Sequence, residues 1–130
     1  MSQENVEVLQ KTYESAESRG IDGLLELATE DLVWISDPHF PGGGMQVGKE
    51  NVRRWLLGLW IYDELSIDVE QIIDLDDRAL GITHFHALAH DGPQVDWLWC
   101  HLVSFNEGLI SQAQSFLDKE SALEAAGLSE

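Results

Sequence analysis

The sequence predicts an α+β fold, with helices gathered in its N-terminal half and a sheet built from its C-terminal half. Apolar residues recur at helical spacing as far as Leu59, and from Leu65 onward long β-rich runs alternate with turn signals. No internal repeat, linker or low-complexity tract interrupts residues 1–130, so one domain is expected, long enough to bury a core without disulfides or metals.

Val6, Leu9, Tyr13 and Ala16 form the apolar stripe of a first helix, with Ser2 available as its cap and Gly20 at its end. Asp22 opens a short second helix over Gly23 to Ala28. The chain then turns through Thr29, Glu30 and Asp31 into a strand, Leu32-Val33-Trp34-Ile35, that stops at Asp37. Asp37 precedes Pro38 and the glycine-rich stretch to Gly44, and proline pushes the residue before it out of the helical region. That carboxylate is therefore either a turn former or a base at a strand end. Val52, Trp55, Leu56 and Leu59 then mark a third helix.

Four strands are expected next, over Leu65 to Leu75, Arg78 to His90, Val95 to Phe105 and Leu109 to Leu117. The turns Asp76-Asp77, Asp91-Gly92-Pro93 and Asn106-Glu107-Gly108 make them an antiparallel meander. Asp118 caps a last helix through Ala126, closed by Gly127.

Seven Lys and Arg against 24 Asp and Glu give a formal net charge of −17, which repels nucleic acid. No apolar run approaches the roughly 20 residues that span a bilayer, and the polar start Met1-Ser2-Gln3-Glu4-Asn5 is no signal peptide, so a cytoplasmic protein without membrane contact is expected. Cys100 is the lone cysteine; it excludes an internal disulfide and a thiolate metal cluster and reads as packing.

Strand alternation places His84 and His86 on one face of the Arg78–His90 run, and Trp97, Trp99 and His101 on one face of the Val95–Phe105 run. A connection of even length at Asp91-Gly92 sets these two faces side by side and gathers the histidines and tryptophans around one pocket. A three-residue connection sets His84 and His86 beside Leu98 and Cys100 instead. Spacing alone leaves both open. His101 beside Trp99 is the leading site candidate, because neutral imidazole donates from one nitrogen and accepts at the other; its bland alternative is a satisfied core histidine.

The chain as a whole resembles the SnoaL-like branch of the superfamily that includes nuclear transport factor two, ketosteroid isomerase, scytalone dehydratase and limonene epoxide hydrolase. The resemblance rests on Glu4-Asn5-Val6-Glu7-Val8-Leu9 with Tyr13, Gly20 to Asp31, Asp37-Pro38, Gly48-Lys49-Glu50, Cys100-His101-Leu102-Val103, Glu107-Gly108-Leu109-Ile110 and Ala122-Leu123-Glu124-Ala125-Ala126-Gly127-Leu128. It implies a conical barrel whose strongly curved, mostly antiparallel sheet wraps three N-terminal helices around one deep pocket, with a short C-terminal helix behind. The spacing of Tyr13 and Asp37 is similar to that of the oxyanion-binding tyrosine and aspartate base of ketosteroid isomerase. His101 stands where that enzyme has a protonated aspartate, and an imidazole can fill the same donor role. Scytalone dehydratase is similar in having a histidine on each of two adjacent strands, as His84 or His86 with His101 would be. The arginine of the limonene epoxide hydrolase site has no counterpart here.

The resemblance thus implies a cofactor-independent acid/base enzyme, of isomerase, cyclase or hydro-lyase type, acting on a hydrophobic cyclic carbonyl- or hydroxyl-bearing molecule. Asp37, Tyr13 and His101 are its expected catalytic residues, and His84, His86, Trp97, Trp99, Trp55, Leu59 and Ile35 its expected ligand wall. The alternative is a non-catalytic module that holds a small ligand in the same pocket. Three histidines on neighbouring strands suit zinc or iron chemically, but no ligand-spacing motif frames them, so neither metal nor cofactor is expected. The resemblance also implies a homodimer through the outer face of the sheet, with Leu98, Cys100 and Leu102 as its apolar residues.

Overall fold

A computed structural model describes residues 2–36, 44–59, 62–89 and 92–128. The elements run α1 (Ser2–Arg19), α2 (Ile21–Leu25), β1 (Ala28–Ile35), β2 (Met45–Val47), α3 (Lys49–Leu59), β3 (Tyr62–Asp74), β4 (Arg78–Ala89), β5 (Gln94–Asn106), β6 (Leu109–Phe116) and α4 (Lys119–Ala125). The fold is α+β as expected, and the described strands form one open, curved sheet in the order β2-β1-β6-β5-β4-β3.

The apolar stripe of α1 is buried at Leu9, Tyr13 and Ala16, and Gly20 stops the helix with φ 68°, a left-handed conformation that costs glycine no Cβ clash. The second helix begins one residue past Gly20, without a side-chain cap, so the cap expected from Asp22 is not used. β1 starts at Ala28, and Thr29 to Asp31, expected in a turn, are its first residues. Their strand is selected from far away, by parallel pairing of β1 with β6 (Ala28↔Ile110, Trp34↔Ala113). The short edge strand β2, unforeseen in the sequence, pairs Val33 with Val47 and Ile35 with Met45.

The β3–β6 meander is antiparallel, as the turn signals imply. Glu107 and Gly108 both take positive φ (52° and 81°), the two-residue turn whose twist matches that of the flanking strands. At the β4–β5 hairpin the Ala89 N–H donates to Pro93 O, so three residues connect the strands, and the register is Gly81↔His101, Thr83↔Trp99, Phe85↔Trp97, His84↔Leu98 and His86↔Asp96. Gly81 and Thr83 of β4 thereby face the rings of His101 and Trp99 on β5, and Thr83 Oγ1 donates to Trp99 O at 2.7 Å.

That register builds two cores. On the inner face Tyr13, Leu32, Trp34, Leu56, Phe85 and Trp99 pack with the helices α1 to α3. On the outer face α4 lays Ala122 and Ala126 over Leu80, Ile82, Cys100 and Leu102. Cys100 and Leu102, expected on a self-association surface, are thus covered by the chain's own last helix. Burial also pushes the Cys100 thiol up to about 11, far from thiolate reactivity.

Asp118 caps α4, accepting from the Ser121 N–H at 2.7 Å. Asp118→Ala is expected to lower stability by about 1 kcal/mol and to quicken labelling of Cys100 by a thiol reagent under native conditions. Labelling at the unchanged rate would show that the fraying of α4 does not control access to Cys100.

Candidate functional site

His101 sits on the inner face of β5 between Gly81 of β4 and Ser115 of β6. Tyr13 reaches it from α1, one helical turn beyond Leu9, and the Tyr13 hydroxyl lies 2.8 Å from His101 Nδ1. Gly81 makes this possible. A Cβ at that position would stand 2.2 Å from the Tyr13 hydroxyl oxygen, so only glycine leaves space for the phenol to lie against the sheet.

Both partners are almost fully buried, Tyr13 at 2% and His101 at 3% exposure. Burial pushes the Tyr13 phenol upward and holds His101 down to about 3, so both stay neutral across the physiological range. His101 Nε2 is buried and has no hydrogen-bond partner among the described residues. Buried polar atoms are nearly always satisfied, so this nitrogen, like Thr29 Oγ1, is an exception to explain.

Aromatic rings enclose the imidazole. Trp99 lies 4.8 Å from it between centroids, Trp34 meets it edge-on at 5.8 Å, and Phe85 packs edge-on against Trp99 at 4.9 Å. The Trp34 indole N–H donates to Ser115 Oγ at 3.3 Å, which fixes its orientation. Beside this shell lies an apolar cavity of about 20 Å³, room for about one water, with Leu9, Leu24, Leu32 and Ala113 among its lining and Tyr13 and His101 on its wall.

The structure brings Tyr13, His101 and Trp99 together. Trp55 contributes to the same layer, tilted against Trp34 at 6.3 Å, and Trp97 packs on Phe85 at 5.4 Å. Ile35 ends β1 half-buried. Asp37 and the side chain of Leu59 lie outside the described residues. Ser36, just before Asp37, is buried and bonded to Gly44, its N–H donating to Gly44 O at 2.8 Å and its Oγ accepting from the Gly44 N–H at 3.1 Å.

His84 and His86 do not join this site. The three-residue hairpin connection turns both to the outer face, opposite to His101, so neither belongs to the ligand wall and the three histidines share no ion. His84 Nε2 lies 3.0 Å from Glu70, and His86 bridges Asp96 at 2.7 Å and Asp68 at 2.9 Å. The Asp96 and Asp68 carboxylates raise the His86 pKa, and His86 in turn lowers that of Asp96. Sequence reasoning missed Gly81; a lone glycine inside a strand is the signal that a neighbouring group approaches there.

A family model described as a SnoaL-like domain matches residues 9–113. Comparison with curated proteins gives no match. Among solved structures the chain is similar to TerC co-crystallised with polyporic acid, with a TM-score of 0.76, 16% identity, and coverage of 95% of this chain and 98% of that one. It is also similar to a protein of ketosteroid isomerase-like fold from Catenulispora acidiphila in complex with trimethylamine (TM-score 0.72, 14% identity, 94% and 93% covered). A third likeness is to an LEH-like epoxide hydrolase of M. tuberculosis (TM-score 0.71, 14% identity, 89% and 84% covered). At these identities the likeness is one of fold.

Two outcomes follow from the geometry. Gly81→Ala is expected to cost about 1–3 kcal/mol of stability by overpacking against Tyr13, and Tyr13→Phe in the same chain should recover part of that loss, because the nearest clashing atom is the hydroxyl. Strictly additive losses in denaturant melts would refute the contact.

His101 also makes stability depend on pH. The unfolded chain protonates this histidine near 6.5 whereas the native one resists until about 3, so its contribution is complete above about 6.5 and is lost as pH falls through that window, at roughly 1.4 kcal/mol per unit. His86 acts with the opposite sign, its contribution being present at low pH and lost as pH rises through its raised value. Urea midpoints followed from about pH 6.5 to about pH 4 should fall more steeply for the native chain than for His101→Gln. Equal slopes would show that His101 is not held neutral.

Proposed function

We propose, since the chain belongs to the SnoaL-like domain family, that it is a small-molecule pocket protein performing cofactor-independent acid/base chemistry on a hydrophobic, cyclic, oxygen-bearing compound. The observation that carries this reading is the buried, unpartnered Nε2 of His101, enclosed by aromatic rings and held by Tyr13. A polar atom kept waiting in an apolar interior costs about 1–3 kcal/mol, and a bound oxygen would repay that cost.

In this reading His101 hydrogen-bonds the oxygen on which negative charge develops, and in a dry site such a bond strengthens as the charge grows. Tyr13 acts through His101, orienting the ring. Asp37, following β1, serves as the base that removes a proton. The flanking rings Trp34, Trp55 and Trp99 favour a flat or cyclic partner. Two of the similar structures hold small molecules, polyporic acid and trimethylamine, which is in keeping with a pocket function for this architecture.

A ring-sized ligand needs a pocket of roughly 300 Å³ or more, whereas the cavity beside His101 holds about 20 Å³. Entry therefore displaces aromatic side chains, and tryptophan fluorescence reports it. In a screen of cyclic ketones and enols read by fluorescence and turnover, Asp37→Asn is expected to lower kcat by about 100-fold or more and to spare affinity. Undiminished turnover with affinity retained would remove Asp37 as the base; turnover absent in the native chain despite binding would favour the non-catalytic module.

A further inference from the structure

The Tyr13–His101 pair carries two exchangeable protons, one on the phenol and one on the neutral imidazole, and the bond between them can be drawn two ways. If His101 Nδ1–H donates to the Tyr13 oxygen, the phenol proton has no acceptor among the described residues and Nε2 is a bare lone pair. If the Tyr13 hydroxyl donates to Nδ1, both of those atoms are satisfied and only an Nε2–H is left over. Each unsatisfied buried group costs about 1–3 kcal/mol, so the second arrangement prevails. Tyr13 therefore works as a tautomer lock, and it leaves a partnerless Nε2–H donor on a residue of the cavity wall.

The surroundings decide what that donor can meet. The other polar side chains on the cavity wall are engaged: Thr12 Oγ1 donates to Val8 O at 2.9 Å, and Trp34 donates to Ser115. No charged side chain lines the cavity among the described residues. A carboxylate or phosphate placed there would give up its hydration for one neutral donor, a loss of several kcal/mol, and an amine would bring donor against donor. Resting on the pocket reading above, we infer that the site selects an uncharged molecule with an acceptor oxygen, of the ketone, quinone or lactone kind, bound through His101 Nε2–H, and rejects carboxylates and amines of the same size.

The test uses the full-length chain, isotope-labelled for nitrogen NMR, with acetonaphthone, naphthoate and the methyl ester of naphthoate as size-matched probes. His101 is expected as the Nε2–H tautomer in the native chain and as a tautomer mixture in Tyr13→Phe. Acetonaphthone and the ester should shift the Nε2 resonance and bind at least ~10-fold more tightly than naphthoate. An Nδ1–H tautomer in the native chain would overturn the inference outright, and naphthoate binding as tightly as its ester would overturn the selection of uncharged ligands. Ketone binding seen by tryptophan fluorescence with Nε2 unmoved would overturn the inference and leave the pocket reading standing. Failure of every probe in both measurements would overturn both.

Discussion

The Tyr13 hydroxyl occupies the volume that any side chain at position 81 would fill, and from there it meets His101 Nδ1 at 2.8 Å. Three elements converge on that point: α1 supplies the phenol, β4 the vacancy and β5 the imidazole. The depth to which α1 sinks against the sheet is set by this contact, because a ring that could not lie over Gly81 would lift the helix and open the core around Leu9 and Ala16. The bond itself adds only about 1 kcal/mol net, but leaving either partner alone inside the core would cost more than the bond gains. A small polar interaction thereby governs a large apolar one.

The distribution of charge follows from the same sheet. With odd positions of β4 and β5 turned inward, Asp68, Glu70, His84, His86 and Asp96 gather on the outer face, where Lys119 of α4 also pairs with Glu70. The Lys119 ammonium, and then the His84 ring, hold the Glu70 carboxyl below its usual range. Exposed pairs of this kind contribute little to stability. They keep two imidazoles occupied by carboxylates on the outer face, and among the described residues of this chain of net charge −17 no Asp, Glu, Lys or Arg is buried.

How much of this was legible in the sequence depends on the range of the interaction that decides each feature. The helical stripe Leu9, Tyr13, Ala16 and the turns at Asp76 and Gly108 are local, and their elements stand where periodicity places them. The face of β4 hung on one residue in a hairpin: because side chains alternate with period two, a three-residue connection in place of an even one moves His84 and His86 across the sheet. Thr29 to Asp31 lie in a strand because Ala28 and Val33 on either side of them pair with β6, and β2 exists only because β1 offers an edge, neither of which a local window contains. Of the candidate site, Tyr13 and His101 were visible as residue types on the correct faces. Their mutual bond was not, since it requires knowing that Gly81 lies between them.

The parallel pairing of β1 with β6 has a kinetic side. Trp34 meets Ala113 about 80 positions later in the chain, and a loop of that length closes only against a substantial loss of chain entropy. The β3–β6 meander, made of sequential hairpins, can zip up from neighbour to neighbour, while β1 has no partner strand on that side until β6 exists to receive it. Trp34 and Leu32 of β1 therefore complete their cover only once β6 is in place. On contact order alone, the inner core that surrounds His101 is expected to close after the meander.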